Sequence, residues 1–224
     1  MATVLAFDVY GTLIDTQGVV TKLREYVGGQ AEDFSRLWRE KQLEYSFRRG
    51  LMRSYETFGV CTSQALDYTS AYLDVGLTTD QRAALLAEYR GLPAFDDVKE
   101  SLVGLRADGH SLYAFSNGTA DAVETLLEAA GIRNLFDDVV SVDDRQTFKP
   151  NPDVYEHLLN ATATSAGEAW LISSNPFDVI GAVSCGLRSA WVRRSSKSIF
   201  DPWGIDPTLT IASLGELAGG IGGL

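Results

Sequence analysis

The chain of 224 residues is long enough for one full domain with an inserted subdomain and too short for two unrelated large domains. Hydrophobic residues make up 45% of it and charged residues 22%, which is typical of a soluble globular protein and excludes a disordered chain. Lys and Arg number 19 against 30 Asp and Glu, and the resulting net charge of −11 disfavours nucleic acid and anionic membrane surfaces as partners.

The two cysteines, Cys61 and Cys185, have neither the spacing of a zinc site nor that of a disulfide framework, so we expect a reducing, cytoplasmic location. The first apolar run ends at Asp8 after a few residues, and no basic segment precedes it. No uninterrupted apolar run approaches the roughly 20 residues that span a bilayer. We therefore expect neither an export signal nor a membrane anchor.

The first apolar run, Val4 to Phe7, is too short for a helix and is soon followed by the turn residue Gly11. It predicts a buried parallel strand with Asp8 at its carboxyl end. From about Val19 to Leu92 the apolar spacing becomes helical. Glycines divide this block into predicted helices near residues 19–27, 31–48, 63–75 and 79–90.

After Pro93, short apolar runs alternate with helical stretches. The runs predict strands at 112–115, 139–142, 170–172 and 190–192, and the stretches predict helices near 97–107, 119–130, 152–160 and 177–185. Such alternation implies right-handed crossovers and a parallel sheet covered on both faces. We therefore predict a doubly wound, Rossmann-like α/β core of residues 1–15 and 93–224, an inserted α-helical cap of residues 16–92, and a loose glycine-rich tail at 219–223.

Polar segments follow the predicted strands at their carboxyl ends, where sheets of this kind bind ligands. The segments are DVYGT from Asp8, SNG from Ser116 and SSNPFD from Ser173. Lys149 precedes Pro150 and a predicted helix, in a loop that we expect to reach the same edge. This edge of the sheet is the predicted functional site.

Four short segments, DVYGTL, SNG, FKP and SSNPFD, follow one another at intervals that span nearly the whole chain. With them the sequence resembles the haloacid dehalogenase (HAD) superfamily, which implies a covalent intermediate on the aspartate of the first segment. That residue is Asp8, and nearby Lys149 would help to keep it ionised. The alternative role of Asp8 is to cap or turn a chain segment.

Two positions depart from the phosphatases of this superfamily. Tyr10 stands where they carry the aspartate that protonates the leaving oxygen, and Ser174 stands where they carry a magnesium ligand. DVYGT together with SSNPFD instead resembles the L-2-haloacid dehalogenase branch, which displaces halide from the α-carbon of a short carboxylic acid without a metal or other cofactor. Halide leaves as an anion, so the absent acid is not required.

The resemblance also assigns the groups that hold the substrate. Arg39, which lies among apolar residues of its predicted helix, would receive the departing halide together with Asn117. Ser116 and main-chain amides near Tyr10 would hold the carboxylate. The alternatives are a snorkelling surface arginine and ordinary helix capping by Ser and Asn.

In the second half-reaction that the resemblance implies, water cleaves the ester on Asp8. Asp178 would be the base and Tyr155 a supporting hydroxyl. The rest of the polar network would comprise Lys149, Ser173, Asn175 and Thr12. Asp178 could instead be a purely structural partner of Lys149.

Apolar side chains line the substrate pocket at matching positions of this branch. They are Tyr10, Leu43, Phe58 and Phe177 here, with ordinary core packing as the alternative. The branch commonly has glutamine at the position of Glu40 and tryptophan at that of Phe177. Pocket size and halide preference, fluoride included, therefore stay open.

The sequence thus predicts hydrolytic dehalogenation of short L-2-haloalkanoic acids, such as 2-chloropropionate or a haloacetate, to 2-hydroxy acids of inverted configuration. Two alternatives stay open, a HAD-type phosphatase with altered motifs and a catalytically silent binding protein on the same scaffold. A halogenated carboxylate is the predicted partner, and the resemblance implies a homodimer.

Overall fold

The structure is a computed structural model that describes residues 3–223. Met1, Ala2 and Leu224, at the ends of the predicted core segments, lie outside the described residues. The strands are β1 (Val4–Asp8), β2 (Ser111–Ser116), β3 (Asp138–Ser141), β4 (Ala169–Ser173), β5 (Arg188–Val192) and β6 (Leu209–Ile211). The α-helices are α1 (Val19–Val27), α2 (Ala31–Met52), α3 (Phe58–Tyr72), α4 (Thr79–Glu88), α5 (Val98–Ala107), α6 (Ala120–Ala129), α7 (Pro152–Ala161), α8 (Pro176–Ser184) and α9 (Leu217–Gly222).

The strands form one sheet in the order β3-β2-β1-β4-β5-β6, and each neighbouring pair is parallel. β1 lies between β2 and β4 and is almost entirely buried, in agreement with its unbroken apolar run. The chain leaves β1 toward β2 and β3 and returns to its other side for β4. Such a switch point opens a crevice at the carboxyl ends of the strands, here beside Asp8 and Ser173. The predicted doubly wound α/β fold is confirmed.

Helices α1 to α4 lie between β1 and β2 in the chain. Phe34 and Trp38 of α2 pack within this insert, because both are buried and the rings of Trp38 and Tyr89 lie 5.0 Å apart. None of the helices in the described part of the chain is both long and apolar enough to cross a bilayer.

The two segments that connect the inserted helices to the sheet lie side by side. Phe95 N–H donates to Leu13 O (3.0 Å), and Asp15 N–H donates to Pro93 O (2.9 Å). Because β1 ends at Asp8, this paired connection places both ends of the insert at the edge of the sheet where the polar segments meet.

The glycine-rich tail predicted to be loose forms helix α9 instead, so that prediction is wrong. Leu217 is buried, and Ile221 packs against the main core four residues later, on the same helix face. Burial of these two side chains outweighs the low helix propensity of the glycines between them.

Two further elements differ from the sequence expectations. Helix α3 begins at Phe58 rather than near residue 63, because Thr57 caps it by accepting a bond from Val60 N–H. The edge strand β6 was not predicted, since three residues are too few for a readable pattern.

Candidate active site

Asp8, at the end of the central strand β1, lies in the middle of a hydrogen-bond network. Its Oδ2 accepts bonds from the hydroxyls of Thr12 (2.8 Å) and Ser173 (3.3 Å) and from the amide of Asn175 (2.7 Å). Its Oδ1 accepts a bond from the Lys149 ammonium at 3.0 Å. Asp8 is only 7% exposed. Its two carboxylate oxygens therefore differ, since three donors hold one and a single ammonium faces the other.

The donors to Oδ2 come from two loops at the switch point. Gly11 adopts a φ of 87°, which L side chains rarely adopt, and so turns the chain back until Thr12 reaches Asp8. Ser173 ends β4, and Asn175 precedes α8, whose first residue is proline. Proline suits this position because a first-turn N–H has no partner within the helix.

Lys149 donates to three buried acceptors, one for each ammonium hydrogen. They are Asp8 Oδ1 (3.0 Å), Asp178 Oδ2 (2.9 Å) and Phe115 O (2.8 Å). Burial acts to lower the pKa of Lys149, but the facing carboxylates of Asp178 and Asp8 outweigh it, and the pKa is raised above its ordinary value. The ammonium therefore stays charged and separates the two carboxylates.

Asp178 lies fully buried on α8, on the other side of Lys149 from Asp8. Burial raises the pKa of Asp178, Lys149 opposes the rise and the charge of Asp8 adds to it, for a net increase. Tyr155 on α7 donates its hydroxyl to Asp178 Oδ1 at 2.8 Å. Burial also raises the pKa of Tyr155 well above its ordinary value, so this hydroxyl stays a neutral donor. A carboxylate with a raised pKa is suited to accept a proton.

Arg39 reaches the same edge from the inserted helix α2. Its guanidinium donates to Gln42 Oε1 (2.6 Å) and to the main-chain oxygen of Tyr10 (3.3 Å). Both acceptors are neutral, and within residues 3–223 the Arg39 guanidinium forms no ion pair. Its positive charge is therefore not cancelled by a bonded carboxylate.

Asn117 and Ser116 lie at the end of β2. Asn117 Oδ1 accepts the main-chain N–H of Lys149 at 3.0 Å, which leaves the amide NH2 as the end suited to an anion. The Ser116 hydroxyl accepts the Gly118 N–H at 3.1 Å, as ordinary turn capping requires. The halide and carboxylate roles of these two residues stay predictions.

The apolar site residues form aromatic contacts between the inserted helices and the sheet edge. The rings of Tyr10 and Phe58 lie 5.7 Å apart, and those of Phe47 and Phe177 lie 5.0 Å apart with one edge toward the other face. Leu43 packs against the cluster that contains Phe58. All four predicted pocket residues therefore lie at the boundary between the inserted helices and the sheet edge.

A cleft of about 620 Å³ opens between α3, α4 and α6. Tyr10, Phe58 and Gly118 belong to its lining, so it adjoins these aromatic residues. Burial raises the pKa of Tyr10 to about 12, so its phenol stays neutral. This volume is usual for a small-molecule site.

Sequence reasoning did not single out Gln42 or Tyr89. Gln42 follows Arg39 by three residues on one helix, a spacing that brings side chains together and could have identified it. Tyr89 has no such signal, because only the tertiary fold brings it near Arg39. Burial raises the pKa of Tyr89, and the charge of Arg39 and its hydrogen bond act to lower it.

The oxygens near Asp8 that could ligate a metal accept hydrogen bonds from the protein. Asn175 Nδ2 donates to Asp8 Oδ2 (2.7 Å) and also to Tyr10 O (3.2 Å). A donor nitrogen between two oxygens occupies the place that a cation would need in order to ligate both. The Ser174 hydroxyl donates to Gly11 O at 2.7 Å. The groups that hold the Asp8 carboxylate thus include an ammonium and an amide, both of which are hydrogen-bond donors.

Comparison with known proteins defines the class. The family model of haloacid dehalogenase-like hydrolases matches residues 2–186 of this chain. The chain belongs to this family of hydrolases.

Individual relatives lie in one branch of that family. The (S)-2-haloacid dehalogenase of Pseudomonas sp. (strain YL) is 36% identical over 210 residues, which cover 94% of this chain and 90% of that protein. Haloacetate dehalogenase H-2 of Moraxella sp. (strain B) is 35% identical over 207 residues, which cover 92% of each. The structure of L-2-haloacid dehalogenase from Xanthobacter autotrophicus with chloropropionic acid covalently bound matches with a TM-score of 0.94 and 30% identity, over 100% of both chains.

Proposed function

We propose that this protein is a hydrolytic dehalogenase of short L-2-haloalkanoic acids. It converts a haloacid and water into a 2-hydroxy acid, a halide ion and a proton. The observation that carries the proposal is the unequal environment of the Asp8 oxygens, with three donors on Oδ2 and the Lys149 ammonium on Oδ1. The structure and sequence of the relatives support it.

The first step is displacement at C2 of the substrate. Asp8 Oδ1 attacks from the side opposite the halogen, and the C–O bond forms as the carbon–halogen bond breaks. Oδ1 is the attacking atom, because the hydrogen bonds on Oδ2 engage its lone pairs. The halide leaves with the bonding electron pair. Rear attack inverts C2 and gives an aspartyl ester.

The departing halide is received by the inserted helices and the end of β2. Arg39 supplies a positive charge that its neutral partners leave available, and Asn117 supplies an amide NH2. Phe177, held by Phe47, forms the apolar wall. Exclusion of water beside this wall strengthens the attraction between Arg39 and the ion.

The second step is hydrolysis of the ester at Cγ of Asp8. Asp178 accepts a proton from the attacking water, and the charge that develops on Oδ2 is held by Thr12, Ser173 and Asn175. Collapse restores the Asp8 carboxylate, the leaving oxygen takes a proton to become the product hydroxyl, and one proton passes to solvent. The bond from C2 to oxygen stays intact, so the inversion is kept.

The substrate carboxylate binds Ser116 and main-chain amides near Tyr10, and its carbon chain contacts Leu43 and Phe58. Tyr10 and Phe58 line the cleft with their rings 5.7 Å apart, and Leu43 packs against the cluster that contains Phe58, which supports the apolar part of this assignment. Haloacetates fit the same groups. Fluoroacetate is the most demanding of them, because fluoride is the smallest halide ion and needs the strongest stabilisation as it leaves.

We also propose that the reaction needs no metal, in contrast to a HAD-type phosphatase with altered motifs. The Asn175 amide already bridges Asp8 Oδ2 and Tyr10 O, which supports this. Tyr10, at the position of the phosphatase acid, has a pKa raised by burial to about 12 and is therefore a weak proton donor at neutral pH. Halide release that is unchanged by a chelator is expected, and release that requires added magnesium would contradict the proposal.

The proposed division into a core of residues 1–15 and 93–224 and a cap of residues 16–92 is supported by the paired connection between them. We propose a homodimer, which is supported by exposed large apolar side chains on the inserted helices, Leu51 and Met52 on α2 and Tyr72 on α3. Light scattering during size-exclusion chromatography should give twice the chain mass. The cytoplasmic location stays a prediction.

A single-turnover reaction in oxygen-18 water tests the mechanism. With enzyme in excess over 2-chloropropionate, the peptide that contains Asp8 should gain one heavy oxygen while the first product carries none. Heavy oxygen in the first product would show direct attack by water on C2 and contradict the ester. Absence of halide release from every haloacid tried would instead favour the silent binding protein.

A further inference from the structure

Gln42 is a polar side chain of α2 with no exposed surface, and it connects Arg39 to the neighbouring helix α3. Its Oε1 accepts a bond from Arg39 at 2.6 Å, and its Nε2 donates to the Thr62 hydroxyl. The Thr62 hydroxyl in turn donates to Phe58 O at 2.8 Å. The guanidinium is therefore joined to the first turn of α3 by a continuous chain of hydrogen bonds.

These bonds have a fixed direction. Because Thr62 donates its single hydroxyl hydrogen to Phe58 O, its oxygen acts toward Gln42 only as an acceptor. The Gln42 amide is thereby held with its NH2 group toward α3 and its carbonyl toward Arg39. The bond from Trp38 Nε1 to Thr62 O (2.8 Å) ties the same turn of α3 to α2 a second time.

We infer that Gln42 and Thr62 are positioning residues that set the orientation and the available charge of Arg39, and thereby the leaving-group specificity of the enzyme. This inference rests on the proposed function, because it deepens the role of Arg39 in that reaction. The Gln42 carbonyl fixes one side of the guanidinium while Tyr10 O holds another.

The neutral character of Gln42 is part of this role. A buried carbonyl orients the guanidinium without cancelling its charge. A carboxylate of the same shape would form a buried ion pair with Arg39 and compete with the halide for it. Glutamine is the residue of this size that combines an acceptor toward Arg39 with a donor toward Thr62.

Three substitutions on α3 separate positioning from packing. Thr62→Val keeps the shape and removes the hydroxyl, whereas Thr62→Ser keeps the hydroxyl. Thr69→Val is the matched control, because Thr69 is buried on the same helix and its hydroxyl donates to Ala65 O at 2.8 Å, four residues back, as that of Thr62 does to Phe58 O. The Thr69 hydroxyl takes no part in the hydrogen-bond chain that runs from Arg39 through Gln42 and Thr62 to Phe58.

Rapid-quench measurement of ester formation should show the difference. With 2-chloropropionate, Thr62→Val should slow ester formation about tenfold, the effect of losing the one hydrogen bond that holds the Gln42 amide, while Thr62→Ser and Thr69→Val stay close to wild type. The loss in rate should be smaller with 2-bromopropionate, because bromide is a better leaving group than chloride. The dissociation constant of the substrate, taken from the concentration dependence of ester formation, and the rate of ester hydrolysis should change little, because neither depends on the orientation of Arg39 toward halide.

A second variant covers the case in which Thr62→Val does not fold. Gln42→Glu keeps the volume and should lower both the rate of ester formation and the affinity of the resting enzyme for chloride, measured by chloride NMR line broadening. Unchanged chloride affinity in Gln42→Glu, or equal rates for Thr62→Val and Thr69→Val, would overturn the inference. Lack of halide release by the wild-type enzyme would instead overturn the proposed function.

Discussion

The two sides of the site hold their charged groups in different ways. On the sheet side, Lys149 lies between Asp8 and Asp178, is 1% exposed and donates to three acceptors. On the inserted side, Arg39 is half-buried and bonded to the neutral acceptors Gln42 Oε1 and Tyr10 O. The first arrangement fixes the Asp8 carboxylate beside a permanent cation, as the proposed nucleophile requires. The second leaves positive charge available for an anion that exists only after the first bond is broken.

This difference has a physical reason. The Asp8 carboxylate is present before the substrate binds, so its partners form permanent bonds that hold it in place. The halide is present only late in the reaction, and a permanent carboxylate partner of Arg39 would weaken the binding of that ion. Catalysis requires interactions that strengthen as charge develops on the leaving group.

The largest effect is expected for Asp8→Asn, which removes the nucleophile. Halide release should fall by at least about 10⁴-fold, as for other covalent nucleophiles. Lys149 keeps its bond to Asp178, so the variant should fold. Halide assays with thermal unfolding as the control provide the test, and a folded variant with wild-type turnover would eliminate Asp8 as the nucleophile.

Lys149→Met and Arg39→Met compare the two sides directly. Both should lose most halide release, but Lys149→Met should lose far more stability, about 3–5 kcal/mol, because it leaves two buried carboxylates without their cation. Arg39→Met should cost about 1–2 kcal/mol, since it breaks no ion pair and leaves only the buried Gln42 carbonyl without its donor.

Denaturant unfolding measures these free energies. The deficit of Lys149→Met should shrink as the pH falls, because protonation of one carboxyl removes the repulsion between Asp8 and Asp178. Equal losses of stability in the two variants would break the distinction between paired and unpaired cations.

Asp178→Asn separates the two chemical steps on the sheet side. Ester hydrolysis should slow by about 10²-fold or more, the usual contribution of a general base, while ester formation continues. One equivalent of halide should then appear in a burst, and mass spectrometry should find the acid attached to Asp8. If Asp178 were only a structural partner of Lys149, both steps would decline together and no ester would accumulate.

Tyr155→Phe should have the smallest effect, expressed mainly in the pH profile. The Tyr155 hydroxyl stabilises the ionised form of Asp178 and so lowers its pKa, against the rise caused by burial. Its removal should raise the pKa of Asp178 further. Because the base acts in its ionised form, activity lost at low pH should be lost at a higher pH than in wild type. A pH profile of ester hydrolysis with an unchanged acidic limb would argue that Asp178 is not the base.

Much of the fold could be predicted because its strands are short, continuous apolar runs bounded by turns. β1 follows from its continuous apolar run, and the helical block after it follows from the helical spacing of its apolar residues. α9 could not be predicted, since its stability comes from the burial of Leu217 and Ile221 rather than from local propensity. β6 is likewise created by its pairing with β5.

The sequence by itself determined which polar side chains follow the strands, and with them the family. It also predicted that Asp8, Lys149 and Asp178 meet at one edge of the sheet. Motif order carries that information because strand ends of a parallel sheet meet at one edge. Only the tertiary structure decided how the two Asp8 oxygens differ and how Gln42 and Thr62 orient Arg39. Those features depend on hydrogen bonds between elements far apart in the chain or on separate helices, and the direction of such bonds is fixed by packing in three dimensions rather than by local spacing.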